Sequence, residues 1–288
     1  MREVGVKSPH VLIVGCGDLG LRLGLQLSAL GWRISAMRRQ IDRLPEEFNA
    51  IKGDYTQRHD IAGLIKLQPD YVVFTPLPTA RDSAGYHQGY VLPVELMAEL
   101  GLLTAVKGGI FVSSTRVFAQ TDGGWVDENS PLTQSDPLAV SIIEAERQFL
   151  AACNSATILR ASGIYGDWPG MLIKRLQQGL CSPDPDRISN RIHRDDLAGI
   201  MAFCLRRLEH GETNASVYIA SDHKPAPVGE VEAWLIKSLG LSAMTGAAPS
   251  RLANRRCSNQ CLRSAGYRFT YPDYQSGFAK LISEHLAL

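Results

Sequence analysis

Short apolar segments alternate with longer segments of helical periodicity through the first 160 or so residues of this 288-residue chain. Such alternation is typical of a parallel sheet that is covered by helices on both faces. The predicted strands are 11–14, 33–37, 71–75, 110–113 and 157–160. The predicted helices are one that ends before Gly31, then 60–67, 92–106 and 139–152.

The pattern loosens after Tyr165. We predict a helix that ends near Gly179, a loop at 183–190, a helix at 195–208 and a strand at Val217–Ala220. From Asp222 on, helical segments mix with aromatic-rich loops. We therefore expect two parts. Residues 1–165, with about 191–220, form a nucleotide-binding domain, and 166–190 with 221–288 form a smaller subdomain for the substrate.

A glycine-rich turn links the first strand to the first helix, in the order Gly15-Cys-Gly-Asp-Leu-Gly20. Gly15 permits the tight turn, Gly17 lets the backbone approach a pyrophosphate, and Gly20 lets the helix pack closely on the strand. The free N–H groups of the helix N-terminus point at the phosphate. We predict a dinucleotide site rather than a glycine-rich turn of an unrelated α/β fold, with contacts from Gly15, Gly17, Asp18, Leu19 and Gly20.

Two arginines follow the second predicted strand. NAD-selective sites usually have an acidic residue there for the ribose 2′-hydroxyl, but this chain has Arg38 and Arg39 and no acidic residue before Asp42. A guanidinium binds a 2′-phosphate through two hydrogen bonds. The sequence therefore favours NADP over NAD, unless both arginines are only solvated loop charges.

Composition narrows the function classes. The formal net charge is +1, with 45% hydrophobic and 20% charged residues, so no general attraction to nucleic acid or anionic membrane is expected. No apolar stretch reaches the ~18 residues of a membrane span, and residues 1–10 are too polar for a secretory signal. The six cysteines lack metal-ligand spacing, which predicts free thiols, no metal site and a cytoplasmic protein.

Further motifs follow in a fixed order: Gly53-Asp54; Val112-Ser-Ser-Thr-Arg-Val-Phe118; Val126-Asp-Glu128 with Pro131; Leu159-Arg160 with Gly163-Ile-Tyr-Gly166; and Ile192-His193 with Asp195-Asp196-Leu-Ala198. With the glycine turn they resemble, over nearly the whole chain, the NAD(P)-dependent epimerases and dehydratases of the extended short-chain dehydrogenase/reductase superfamily. The resemblance implies an α/β Rossmann fold, a doubly wound parallel sheet. It also implies a cofactor site that includes Asp54 near the adenine, and we add Thr75 and Pro76 at a strand end.

The chain departs from that family at the catalytic pair, a Tyr followed four residues later by a Lys. When the motif is aligned on Glu146, the Tyr position is Leu138 and the Lys position is Ile142. None of the nine tyrosines has a Lys four residues later. An aliphatic side chain cannot transfer a proton, so the chain resembles an atypical subgroup that has lost the pair.

Three residues are candidates for a substitute catalytic group. Ser114 stands where the family has its catalytic Ser or Thr, or else it caps the loop that follows. Tyr86 and Tyr90 are four residues apart on a predicted helix; either phenol faces the nicotinamide, or both are partly buried aromatics. Tyr165 is a further candidate for lining the substrate site.

His193 has the side chain of a near-neutral base, but the resemblance favours a structural role at a strand-to-helix junction. Asp195 or Asp196 is predicted as the N-cap of the helix that follows.

Two functions remain open: an enzyme acting on a small polar substrate such as a nucleotide sugar, or a non-catalytic NADP(H)-binding scaffold or redox sensor. The sequence does not decide whether the chain forms a homodimer.

Overall fold

The computed structural model describes residues 8–242, 245–249 and 253–286. The strands within these ranges are β1 (His10–Val14), β2 (Arg33–Arg38), β3 (Asn49–Lys52), β4 (Tyr71–Phe74), β5 (Gly108–Ser114), β6 (Trp125–Val126), β7 (Ala156–Ala161), β8 (Gly163–Tyr165), β9 (Leu180–Cys181), β10 (Ile188–Ser189), β11 (Arg191–His193), β12 (Val217–Ala220), β13 (Ala226–Pro227), β14 (Gly246–Ala247) and β15 (Arg256–Cys257).

The α-helices of the described residues are α1 (Asp18–Ser28), α2 (Arg58–Leu64), α3 (Ser83–Tyr86), α4 (Leu92–Glu99), α5 (Leu102–Ala105), α6 (Pro137–Ala152), α7 (Gly170–Gln177), α8 (Arg194–Glu209), α9 (Val228–Leu239), α10 (Gln260–Ser264) and α11 (Tyr274–Leu286). Two 3₁₀ turns (Ile65–Leu67 and Thr115–Val117) and one π-helical turn (His87–Val91) complete them. None of these helices is long and apolar enough to cross a membrane.

The central sheet has seven strands in the order β12-β7-β5-β4-β1-β2-β3. The four pairings from β3 to β5 are all parallel. The order runs outward in both directions from β1, so the sheet is doubly wound, and the predicted α/β Rossmann class is confirmed.

The chain divides into two compact units. The first contains the described residues of Met1–Val117 together with Gln134–Arg160 and Ala198–Tyr218. Its core holds β1, whose five residues are all buried, and a row of aromatic rings: Phe74 and Phe111 are 5.7 Å apart, and Phe111 and Phe149 are 5.6 Å apart. A strand buried on both faces is what a helix-covered parallel sheet requires.

The second unit contains Phe118–Thr133, Ala161–Leu197 and the described residues of Ile219–Leu288. Its helices α7, α9 and α11 pack around a separate apolar core that includes Ile173, Leu235 and Phe278. A two-stranded parallel ribbon of β8 and β11 belongs to the same unit.

Two local predictions were wrong, and one strand was missed. The helix expected at 92–106 ends at Glu99, because Gly101 has φ +79° and a second short helix starts after it. The loop expected at 183–190 contains β10, which pairs with β13. Strand β3 was not predicted, since its residues are mostly exposed at the sheet edge and lack an apolar pattern.

The predicted N-cap of α8 was also wrong. The helix begins at Arg194, and Nδ1 of His193 accepts the backbone N–H of Asp195 at 3.2 Å. Asp196 lies inside the helix and accepts the backbone N–H groups of Thr270 and Tyr271, each at 2.8 Å. His193 therefore caps the helix, and Asp196 holds a distant segment of its own unit.

Candidate functional site

The glycine turn lies at the end of β1 and is closed by backbone hydrogen bonds. The N–H groups of Gly15 and Cys16 donate to the carbonyl of Met37 at 3.1 and 2.8 Å. Gly15 has φ +80°, and a β-carbon there would lie 2.9 Å from the carbonyl oxygen of Thr75. Only glycine fits this position, because both the backbone angle and the space exclude a side chain.

Gly17 and Gly20 meet different surroundings. A β-carbon at Gly20 would lie 2.8 Å from Cγ2 of Ile13, so this glycine allows helix α1 to pack against β1. A β-carbon at Gly17 would meet nothing closer than the Gly15 carbonyl oxygen at 3.9 Å. The space above Gly17 is therefore open, as the approach of a pyrophosphate requires.

The N-terminus of α1 presents backbone N–H donors. Gly17 is the N-cap and its backbone is extended, and no side chain caps the helix, so the N–H groups of the first turn are not taken up by a side-chain cap. The Asp18 carboxylate forms an ion pair with Arg22 at 3.1 Å. These donors and the helix dipole together suit a bound phosphate.

Arg38 is the last residue of β2 and is half-buried; Arg39 is exposed. Burial raises the pKa of the Cys16 thiol to about 11, and the positive charge of Arg38 opposes that rise. Burial also raises the pKa of the Tyr55 phenol, and the positive charge of Arg39 opposes that rise. The charge of Arg38 therefore acts on a residue of the glycine turn, and that of Arg39 acts on Tyr55, which packs beside the turn.

Thr75 and Asp54 complete the region. The Thr75 hydroxyl donates to the carbonyl of Gly15 at 2.7 Å, and Pro76 is buried beside it. The Asp54 carboxylate accepts the backbone N–H and the hydroxyl of Thr56 at 3.0 and 2.8 Å. The structure thus joins Thr75 directly to the glycine turn, while Asp54 organises its own loop after β3.

Tyr55 was missed by the sequence reasoning. Its hydroxyl donates to the carbonyl of Leu77 and accepts the Leu77 N–H, both at 3.2 Å. Its ring packs edge-on against Phe74 at 5.4 Å. One of its ring carbons lies 3.2 Å from where a Gly15 β-carbon would be. Its position after Gly53-Asp54 was the available signal.

Ser114 and Tyr86 both lie next to Arg116. Ser114 ends β5, and its hydroxyl oxygen accepts the N–H of Arg116 at 3.2 Å. The Arg116 guanidinium lies 5.8 Å from the ring centre of Tyr86. Tyr86 is half-buried and stacks on Tyr90 with ring centres 5.6 Å apart. Tyr90 is buried, which raises its pKa well above the ordinary value.

Arg116 is held by Asp136 at the start of α6. Its Nε lies 2.6 Å from one carboxylate oxygen and a terminal nitrogen lies 3.1 Å from the other. The hydrogen bond to Asp136 raises the pKa of Arg116 above its ordinary value. On the same helix, Leu138 is half-buried and Ile142 is buried. The two positions that the sequence alignment predicts for the family's Tyr and Lys therefore carry packed aliphatic side chains.

A buried ion pair supports the strand that carries Ser114. Glu146 of α6 and Arg160 of β7 are joined at 2.8 Å, with only 4% and 6% of their side chains exposed. The hydroxyl of Ser113, next to Ser114 in β5, donates to the same carboxylate. This group ties the end of β5 to α6 and β7.

The chain is similar to several proteins of known structure or sequence. A solved protein from Methylobacillus flagellatus that is assigned as an NAD-dependent epimerase/dehydratase is 33% identical, with 96% of this chain and 98% of that chain covered and a TM-score of 0.80. UDP-glucose 4-epimerase of Thermus thermophilus, solved with NAD, is 17% identical, with coverage of 96% and 98% and a TM-score of 0.80.

Protein YeeZ of Escherichia coli K12 is 28% identical over 214 residues, which are 70% of this chain and 74% of YeeZ. No protein-family model matches the chain. The similarity to the Thermus epimerase shows the fold alone, because only 17% of the residues are identical. The Methylobacillus protein aligns with nearly the whole chain, and a third of the aligned residues are identical. The chain therefore belongs to the NAD-dependent epimerase/dehydratase family, in the extended branch of the short-chain dehydrogenases/reductases.

Proposed function

We propose that the chain is an NADP(H)-dependent oxidoreductase with epimerase/dehydratase-type chemistry on a small polar substrate, and that a nucleotide sugar is the first class to test. The observation that carries the proposal is the open glycine turn flanked by Arg38 and Arg39. The Thermus protein is a UDP-glucose 4-epimerase solved with NAD, which supports a nicotinamide dinucleotide as cofactor and a nucleotide sugar as substrate class, whereas the choice of NADP rests on the two arginines. NAD is the alternative cofactor.

The residues of the first unit fit a dinucleotide. The donors at the N-terminus of α1 would hold the pyrophosphate, and the open space at Gly17 admits it. Arg38 and Arg39 would bind the 2′-phosphate. The nicotinamide would supply or accept a hydride when bound. Residues 166–190 and 221–288, which were predicted from the sequence to bind the substrate, belong to the second unit and keep that role in this proposal; the second unit also contains 118–133, 161–165 and 191–197.

Tyr86 is the preferred proton donor in this proposal, with Ser114 as a hydrogen-bonding partner of a substrate oxygen. Helix α3, which carries Tyr86, packs against α6, the helix on which the family has its Tyr. Tyr86 is partly accessible and faces a fixed cation at Arg116. Tyr90 is the less suitable phenol, because burial disfavours its ionised form.

The cofactor site is tested by Gly17→Val. The β-carbon of the new side chain would meet nothing closer than the Gly15 carbonyl oxygen at 3.9 Å, so the fold should persist while calorimetric binding of NADP⁺ is lost. Gly63→Ala, on α2 and with no atom near its β-carbon position, is the matched control. Unchanged binding by Gly17→Val would refute the assignment.

The catalytic part is tested by incubating the enzyme and NADP⁺ or NADPH with UDP-glucose, UDP-galactose and UDP-glucuronate, with absorbance at 340 nm and product analysis as readouts. Tyr86→Phe should lower any turnover by about 10²–10⁴, the usual contribution of a general acid. Cofactor binding should stay unchanged. If Tyr86→Phe and Tyr90→Phe both retain full activity, neither phenol is the acid and Ser114→Ala is tested next.

A second function is a non-catalytic NADP(H) scaffold or redox sensor. The observation that favours it is the buried Ile142 at the position of the family's Lys, since a chain without turnover has no need of that cation. Cofactor binding that alters the protein's partners, with no reduced or oxidised product from any sugar nucleotide, would favour this second function over the first.

A further inference from the structure

Strands β2 and β3 place two cationic side chains next to each other. The two strands are parallel, and Arg38 lies directly opposite Lys52 at their carboxyl ends. The backbone N–H of Gly53 donates to the carbonyl of Arg38 at 3.1 Å. This hydrogen bond holds the pairing of Arg38 with Lys52, the last pair of the two strands. Residues that are directly opposite in a sheet have their side chains on the same face.

That face is the one covered by α1. The side chains of Ser35 and Asn49, also opposite each other, hydrogen-bond at 3.0 Å on the other face. Ile34 lies four residues before Arg38, on the same face as Arg38, and its Cγ2 is 3.3 Å from the β-carbon position of Gly24 on α1. Arg38 and Lys52 therefore both emerge on the side of the sheet where the glycine turn leads into α1.

Over the described ranges 8–242, 245–249 and 253–286, no carboxylate forms a salt bridge with Arg38, Arg39 or Lys52. Like charges directly opposite in a sheet destabilise it. Arg38 and Lys52 nevertheless lie side by side at the edge of the sheet that carries the glycine turn. Such an arrangement is expected where an anion binds.

We propose that Lys52 is a third cationic ligand of the cofactor's 2′-phosphate, beside Arg38 and Arg39. Neighbouring strands lie about 4.8 Å apart, a distance that a lysine side chain spans. The arginines bind the phosphate through paired hydrogen bonds, and the ammonium adds a compact charge on the side of β3. This inference rests on the proposed NADP(H) function and names a specificity residue that lies a strand away from the arginines.

The test is binding of NADP⁺, NAD⁺, 2′,5′-ADP and 5′-AMP by isothermal titration calorimetry. Lys52→Met keeps the aliphatic stem and removes the charge, and Lys66→Met, another exposed lysine of the same unit, is the matched control. Lys52→Met should weaken NADP⁺ and 2′,5′-ADP about tenfold, the lower range for a charge-assisted contact. NAD⁺ and 5′-AMP should bind as before, and Lys52→Arg should restore NADP⁺ binding.

The outcomes separate this inference from the proposed function. If the wild type does not prefer NADP⁺ over NAD⁺, the proposed cofactor is wrong and the inference with it. If the wild type prefers NADP⁺ and Lys52→Met keeps the same preference, only the role of Lys52 is overturned. Lys52→Gln serves as a second neutral variant, with thermal unfolding as the check on folding, so that a single badly folded protein does not decide the result.

Discussion

Glu146→Gln is expected to destabilise the first unit strongly, although the substitution changes little in shape. Glu146 and Arg160 are both buried, and Ser113 donates to the same carboxylate. The glutamine removes the negative charge and puts an amide group where an oxygen faced the guanidinium. Arg160 then keeps its charge in the interior without the carboxylate that balances it.

The size of the effect follows from the burial. Removing one partner of a buried ion pair costs about 3–5 kcal/mol, because the other charge stays desolvated. Such a loss is a large part of the roughly 5–15 kcal/mol by which domains are stable. Replacing both residues removes the uncompensated charge, so Glu146→Met with Arg160→Met should recover most of the lost stability.

Urea unfolding followed by circular dichroism measures this directly. At an m-value of about 2 kcal/mol per M, Glu146→Gln should lower the midpoint by about 2 M. The matched control is Glu144→Gln, which disrupts an exposed ion pair with Arg147 on the same helix and should cost about 0–1 kcal/mol. The reasoning is refuted if Glu146→Gln and Glu144→Gln have the same midpoint.

Two further predictions concern a buried carboxyl group and a pair of glycines. Burial raises the pKa of Asp222 to about 7, although the positive charge of Arg191 acts in the opposite direction. Because this pKa lies above the ordinary value of 3.8, the protonated Asp222 stabilises the folded state below pH 4, and this contribution is lost as the pH rises through 7. Relative to Asp222→Asn, wild-type stability should therefore fall by up to about 1.4 kcal/mol per pH unit between about pH 4 and 7, measured by urea unfolding, and parallel curves would contradict it. Gly89→Ala should lower the melting temperature because its β-carbon would overlap the carbonyl oxygen of Leu77, whereas Gly63→Ala, in open space on a helix, should gain about 0.5–1 kcal/mol. Equal melting temperatures for the two glycine variants would contradict this comparison.

The sequence predicted those parts of the fold whose cause is local. The β1–α1–β2 unit follows from an apolar strand, a glycine turn and a helical period, and the structure has all three at the expected residues. The strand at Val217–Ala220 has the predicted bounds. Strand β3 was missed because its residues Asn49–Lys52 form a strand only by pairing with β2 at the sheet edge.

Long-range partners explain the other errors. Asp196 was predicted as a helix cap because of its position, but its carboxylate binds backbone groups more than 70 residues away in the sequence. The same is true of the candidate site. The neighbourhood of Tyr86, Arg116 and Asp136 depends on how α3 packs against α6, which no spacing along the chain encodes.

Comparing two cofactors in one titration series tests whether the glycine turn and the end of β2 form an NADP(H) site. Wild type and an Arg38→Ala/Arg39→Ala variant are titrated with NADP⁺ and NAD⁺ under identical salt. The wild type should prefer NADP⁺, and the variant should lose about 1.5–3 kcal/mol of NADP⁺ binding while its NAD⁺ binding is unchanged. A wild-type protein that binds NAD⁺ as tightly as NADP⁺ would contradict this prediction.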